Sequence, residues 1–113
     1  MHELGLTQQI VDVAVEKGQQ AGAKRIVSVR VKAGEMAEVA PDSLRFYFAS
    51  LARGTIAEGA ELVIEIVPLL AECSDCHSRF APADSHLKCP ECGSRKIEIV
   101  EGREAYVESV DVE

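Results

Sequence analysis

The chain has 113 residues, 47% hydrophobic and 27% charged, with a formal net charge of −7. That length supports one main hydrophobic core, and the acidic balance repels nucleic-acid phosphates and anionic lipid surfaces, so a general DNA or RNA binder is disfavoured. No apolar run approaches the roughly 18 residues of a membrane-spanning helix, and the start MHELGLTQQI carries neither a basic stretch nor a small-residue cleavage site. A cytoplasmic location is expected, where paired cysteines serve as metal ligands more often than as structural disulfides.

From Leu4 to about Gln20 the apolar residues Leu6, Ile10, Val13 and Ala14 recur at helical spacing, widened by Val11 and Val15, with Gln9, Asp12, Glu16 and Gln19 opposite. This predicts an amphipathic helix stopped by Gly22. Val27, Val29, Val31 and Ala33 then alternate with Ser28, Arg30 and Lys32, the period of a half-buried strand that Gly34 ends. Pro41 suits the first position of a second helix, where its missing N–H is not needed; Leu44, Tyr47, Phe48 and Leu51 trace its inner face before Gly54. The aromatic residues Phe46, Tyr47, Phe48 and Tyr106 are expected in the core. Leu62, Ile64 and Ile66 mark a second strand closed by Pro68. Beyond the cysteines, 96–100 and 105–112 read as two more strands around Glu101-Gly102, with blurred alternation that suggests a bulge near Glu108.

This order predicts an α/β (α+β) protein in which a small β-sheet packs with two α-helices and the final strand pair returns to that sheet. Residues 1–70 with 97–113 would form the α/β domain, and 71–96 an inserted zinc-ribbon-like knuckle domain built on four cysteines.

Cys73 and Cys76 are two residues apart, as are Cys89 and Cys92. Two such knuckles can each wrap one side of a tetrahedral ion, with four thiolates at about 2.3 Å, the usual closed structural zinc site. The insert holds few apolar residues (Phe80, Ala81, Ala83, Leu87), so metal binding would supply its folding energy. Three other readings of the cysteines stand beside zinc. Cys73-Ser-Asp-Cys76-His77 matches the haem-attachment pattern but leaves the second pair without a role; tetrahedral sulfur also accepts iron; and two disulfides would require an oxidising compartment. His77 and His86 flank the site and could exchange with a thiolate, although four cysteines already complete a tetrahedron. Between Glu72 and Lys96 the charges balance to zero, so the insert offers nothing to attract phosphate.

Met1-His2-Glu3, the helix behind it, Gly34-Glu35, Pro41-Asp42-Ser43-Leu44 and the double CxxC ending Cys89-Pro90-Glu91-Cys92-Gly93 stand in an order that, over the whole chain, resembles the HypA/HybF family of nickel metallochaperones. The resemblance implies a nickel carrier for [NiFe]-hydrogenase maturation, with Ni(II) bound by the N-terminal residues and zinc held by Cys73, Cys76, Cys89 and Cys92. It also implies a HypB-type GTPase partner, delivery to the hydrogenase large subunit, and service to urease in some members.

Chemistry independent of the resemblance agrees with it. The α-amine of Met1, which is expected to be retained before the bulky His2, the backbone nitrogens of His2 and Glu3, and the His2 imidazole can surround one ion as four nitrogens. Such a tetragonal set favours Ni(II) or Cu(II) over Zn(II). Amide coordination requires loss of a proton, and the first four N–H groups of a helix have no intrahelical partner to lose. The Glu3 carboxylate is left as either an axial ligand or a group that docks the partner protein. Asp42 and Glu35 are candidates for groups around the site, with Asp42 equally suited to the first turn of its helix. The chain carries no GxxxxGK, HExxH or GxSxG motif, so no enzymatic activity is expected and GTP hydrolysis would belong to the partner. The rival reading is a zinc-ribbon protein–protein adaptor that transports no metal.

Overall fold

The computed structural model describes residues 3–82 and 87–113. Their elements run α1 (Glu3–Gln20), β1 (Ile26–Gly34), a 3₁₀ turn (Glu35–Ala37), α2 (Pro41–Leu51), β2 (Glu61–Val67), β3 (Leu70–Cys73), β4 (Arg79–Phe80), β5 (Ile97–Glu101) and β6 (Ala105–Val112). The strands form two three-stranded sheets, ordered β2-β1-β6 and β4-β3-β5. The protein is thus α+β, as its residue pattern predicts.

The chain divides into two compact units, one of residues 3–32, 39–65 and 106–113, the other of 33–38 and 66–105. In the first, α1 turns Thr7, Ile10, Val11, Ala14 and Gly18 inward. The inner stripe omits Val13, which is 38% exposed. Gly22, at φ 68°, ends the helix: its N–H donates to the Gln19 carbonyl and the Ala23 N–H to that of Gly18, the paired bonds of a Schellman cap. α2 buries Leu44 and Phe48 against the same core, which also takes Ile26, Val29, Val31 and Leu62. Of the expected core aromatics only Phe48 is fully buried; Phe46 is 71% exposed and stacks edge-on against Tyr47, while Tyr106 is also exposed. Helical periodicity explains this correction, since Phe46 lies two positions from both Leu44 and Phe48, off the stripe they define.

Along β1, Ser28, Arg30 and Lys32 project opposite to the buried Val29 and Val31. They meet β6: Ser28 donates to Asp111, and ion pairs join Arg30 to Asp111 at 3.6 Å and Lys32 to Glu108 at 3.2 Å. Arg25 and Glu113 exchange both backbone hydrogen bonds, as residues facing each other in an antiparallel pair do. In β6 both Val107 and Val110 pack on the core. That odd spacing breaks strict alternation around Glu108, the place where the sequence blurs.

The second unit is larger than the cysteine span. β3 pairs antiparallel with β4 and with β5, placing Ala71 opposite Phe80 and Ile99, and Cys73 opposite Ile97. This corrects the expectation that both late strands return to the first sheet: β6 does, whereas β5 joins β3. Pro68 ends β2, and Leu70, Ala71, Ile97 and Ile99 then supply the apolar side chains that the knuckles lack. Residues 33–38 close onto this unit through a tight crossing. A Cβ on Gly34 would lie 2.4 Å from the Gly102 backbone, and one on Gly102 2.6 Å from the Pro68 carbonyl oxygen. The Met36 N–H donates to the Gly102 carbonyl and the Leu69 N–H to Glu35 Oε1.

Because backbone rather than flexible side chain meets the added methyl, Gly34→Ala should destabilise by at least about 2 kcal/mol, toward the upper end for overpacking. Gly5→Ala, which meets nothing within 4 Å on α1, should be neutral or stabilising by up to about 1 kcal/mol. Chemical denaturation followed by circular dichroism checks both.

Candidate metal centre

The two cysteine pairs sit in two copies of one backbone device. Both hexapeptides, CSDCHS (73–78) and CPECGS (89–94), read C-x-x-C-x-S. In the first, the His77 N–H donates to the Cys73 carbonyl and the Cys73 N–H to that of Ser78; in the second, Gly93 bonds Cys89 and Cys89 bonds Ser94 in the same way, all within 2.8–2.9 Å. The residue after each second cysteine must turn left-handed, at φ 76° for Gly93 and φ 63° for His77. Glycine takes that conformation freely and histidine takes it at a cost. The knuckles are tied by side chain and main chain as well: Ser94 Oγ donates to Asp75, and the Ser74 N–H to the Lys96 carbonyl.

This duplication aims four sulfurs at one point. The ligand atoms of Cys73, Cys76, Cys89 and Cys92 all lie within 4.8 Å of one another. Sγ–Sγ separations are 3.5 Å for Cys73–Cys92 and for Cys76–Cys89, close to the about 3.8 Å edge of a tetrahedron with 2.3 Å metal–sulfur bonds. Both contacts run from one knuckle to the other. All four cysteines are free thiols. Cys73 and Cys76 both face the second pair, so the haem-attachment reading, which gives that pair no role, has no support in this geometry. The donor set fits a tetrahedral thiophilic ion, zinc or iron alike.

Proton affinities within the cluster diverge. The Cys76 N–H is the main influence that brings the Cys73 thiol down to about 6, against the opposing effect of burial. Burial opposes ionisation of Cys89 too, yet the N–H groups of Cys92 and Glu91 leave its pKa below the ordinary value; both donate to its sulfur at 3.4–3.5 Å. At Cys76 the Ser78 backbone favours the thiolate, but Cys89, burial and the other two sulfurs together push the thiol up to about 12. Cys92 is likewise raised: the Ser94 backbone lowers it, and Cys73 and burial outweigh that. Four adjacent thiolates need a cation to coexist.

Among the described residues the cluster contains cysteines only. The His77 side chain is 76% exposed, with Nδ1 3.8 Å from Glu72 Oε2, and Glu72 in turn receives Arg79 at 2.9 Å. His86 lies outside the described residues, as do Met1 and His2. Glu3 opens α1, and its Oε2 accepts a hydrogen bond from the Ala40 N–H at 2.6 Å. Glu35 is engaged by Leu69. Asp42 is exposed in the first turn of α2, 4.0 Å from Arg45, as an acid that complements the helix dipole would be. Residue-by-residue reading finds the cysteines but misses the Ser94–Asp75 and Glu3–Ala40 links; the repeated C-x-x-C-x-S is the one available signal for the former.

At pH 7 the metal-free cluster holds protons on Cys76 and Cys92, so uptake of Zn(II) should release at least those two. Apparent affinity should fall further as pH drops through about 6, where Cys73 also takes up a proton. Calorimetric titration in buffers of different ionisation enthalpy measures the release. Ser94→Ala, which removes the tie to Asp75, should speed zinc loss to a chelator by roughly tenfold, the scale of changes to groups supporting metal ligands.

Residues 1–112 match the family model described as "Hydrogenase/urease nickel incorporation, metallochaperone, hypA". Similar proteins include the hydrogenase maturation factors HypA of Caldanaerobacter subterraneus subsp. tengcongensis, 40% identical with both chains covered in full, and of Chlorobium limicola, 41% identical over all of this chain and 97% of the relative. The fold is similar to a solution structure titled as the Ni metallochaperone HypA from Helicobacter pylori, with a TM-score of 0.76, 24% identity and coverage of 99% of this chain and 97% of that one. A second solution structure titled as HypA protein gives a TM-score of 0.79 at 24% identity, covering 99% and 96%. The chain therefore belongs to the HypA family of hydrogenase/urease nickel-incorporation metallochaperones.

Proposed function

We propose that this protein binds Ni(II) at its N-terminus and, with a HypB-type GTPase, delivers it to the [NiFe]-hydrogenase large subunit in the cytoplasm, with urease maturation as a further destination. The full-length family match carries this reading. Nickel is cargo in this account. Its ligands are the Met1 α-amine, the backbone nitrogens of His2 and Glu3, and the His2 imidazole, a set of four nitrogens suited to square-planar Ni(II). Zinc, held by Cys73, Cys76, Cys89 and Cys92, is structural. Nickel thus belongs to the unit that contains α1, and zinc to the unit that contains β3, β4 and β5.

α1 begins at Glu3, so the N–H groups that nickel would displace are those for which a helix offers no carbonyl. Release demands a site from which the ion can leave, and a terminal site is open in a way that a closed tetrathiolate is not. Protons compete for the amine, the amides and the imidazole, so nickel affinity falls as pH falls. No bond of a substrate is made or broken by this chain, and hydrolysis of GTP is assigned to the partner.

Titration of the zinc-loaded protein with Ni(II), using a native and untagged N-terminus, tests the proposal. One nickel per chain with a yellow square-planar absorbance band is expected; His2→Ala, and separately one residue added before Met1, should abolish that band while zinc stays bound. Nickel binding that is absent, or indifferent to both changes, leaves the zinc-ribbon adaptor as the better account.

A further inference from the structure

The geometry points to a division of labour within Glu3: its carboxylate is a positioning group that docks the first turn of α1 onto the start of α2, and its backbone nitrogen alone serves the metal. The second half of that statement rests on the nickel-carrier reading above; the first half does not.

α2 starts without local help. Its N-cap is Ala40, which has no side-chain acceptor, and the next residue is Pro41. In a capping box the N-cap N–H is satisfied by a glutamate or glutamine at the third helical position, but here that position is Ser43. Asp42, one residue earlier, lies beside Arg45. The Ala40 N–H instead reaches Glu3, 37 residues away in sequence, at 2.6 Å, the short distance of a charge-assisted bond. The carboxylate thereby supplies from another helix what a capping box supplies from within, and it sets a negative charge at the positive end of the α2 dipole.

Glu3 is held a second time. Thr7, fully buried, donates its hydroxyl to the Glu3 carbonyl oxygen. One contact fixes the backbone of Glu3 from within α1 and the other fixes its side chain from α2. Terminal residues ordinarily fray, whereas these two bonds pin the residue next to His2. The Glu3 N–H, as the first of α1, has no carbonyl partner within the helix. A carboxylate drawn to Ala40 would have to give up or share that bond to act as an axial ligand.

Glu3→Gln keeps an oxygen acceptor for Ala40 while removing the charge; Glu3→Ala removes both. In nickel-free protein, Glu3→Ala should shift the Ala40 amide resonance and speed its hydrogen exchange at least about tenfold, with Glu3→Gln close to wild type. With nickel, Glu3→Ala should weaken binding about tenfold without moving the absorbance band, the size of effect seen for groups that orient ligands, and Glu3→Gln should bind within about threefold of wild type. An Ala40 amide indifferent to Glu3→Ala overturns the docking. Equal nickel affinity in Glu3→Ala and wild type overturns the positioning role, and a band that moves in both variants makes the carboxylate a ligand and overturns it too. A wild-type protein that binds no nickel sinks the carrier reading, yet the nickel-free amide measurement still decides the docking.

Discussion

Four sulfurs converging within 4.8 Å impose the strongest constraint on this chain. Burial and mutual repulsion oppose four adjacent thiolates: at Cys76 the neighbouring sulfurs and burial outweigh the Ser78 backbone and push the thiol up to about 12, whereas at Cys73 the Cys76 N–H outweighs burial and brings it down to about 6. A thiophilic divalent ion would remove that conflict and cross-link two segments that have few apolar side chains between them. The paired hexapeptides, the left-handed residues His77 and Gly93, and the β3–β5 pairing that aligns Cys73 with Ile97 all serve the same end. They bring the knuckles to a spacing that a tetrahedral ion fits.

The other unit works by burial. Ile10, Val11 and Ala14 from α1, Leu44 and Phe48 from α2, and Ile26, Val29 and Val31 from β1 form one apolar core that needs no metal ligand. A polar face of Ser28, Arg30 and Lys32 against β6 lies on the other side of β1. Such a core anchors the beginning of α1 more firmly than helix propensity could, because Thr7 is buried one turn behind Glu3.

Much of this is legible in the residues. Helical and strand periodicity predicts α1, β1, α2 and β2, because each buries one face on a core and records that in its pattern. The cysteine spacing predicts the cluster, because a tetrahedral ion requires two close pairs. β3 and β4, four and two residues long, are too short for periodicity to register. Phe46 departs from the core expectation because an aromatic side chain signals burial only on average, and its helical phase turns it outward. β5 departs from the expected sheet because Ile97 and Ile99 record that a strand has an apolar face, not which strand it faces.

The class of the fold, the two CxxC knuckles and the family follow from the order of residues alone, since all three rest on local pattern or on matched residues. The partners of β5, the Gly34–Gly102 crossing, the Ser94–Asp75 tie and the bond from Ala40 to Glu3 emerge only once the chain is folded. The reason is that hydrogen bonds and steric contacts between residues distant along the chain depend on distances in space, and a one-dimensional pattern of residue types carries no record of which two segments meet.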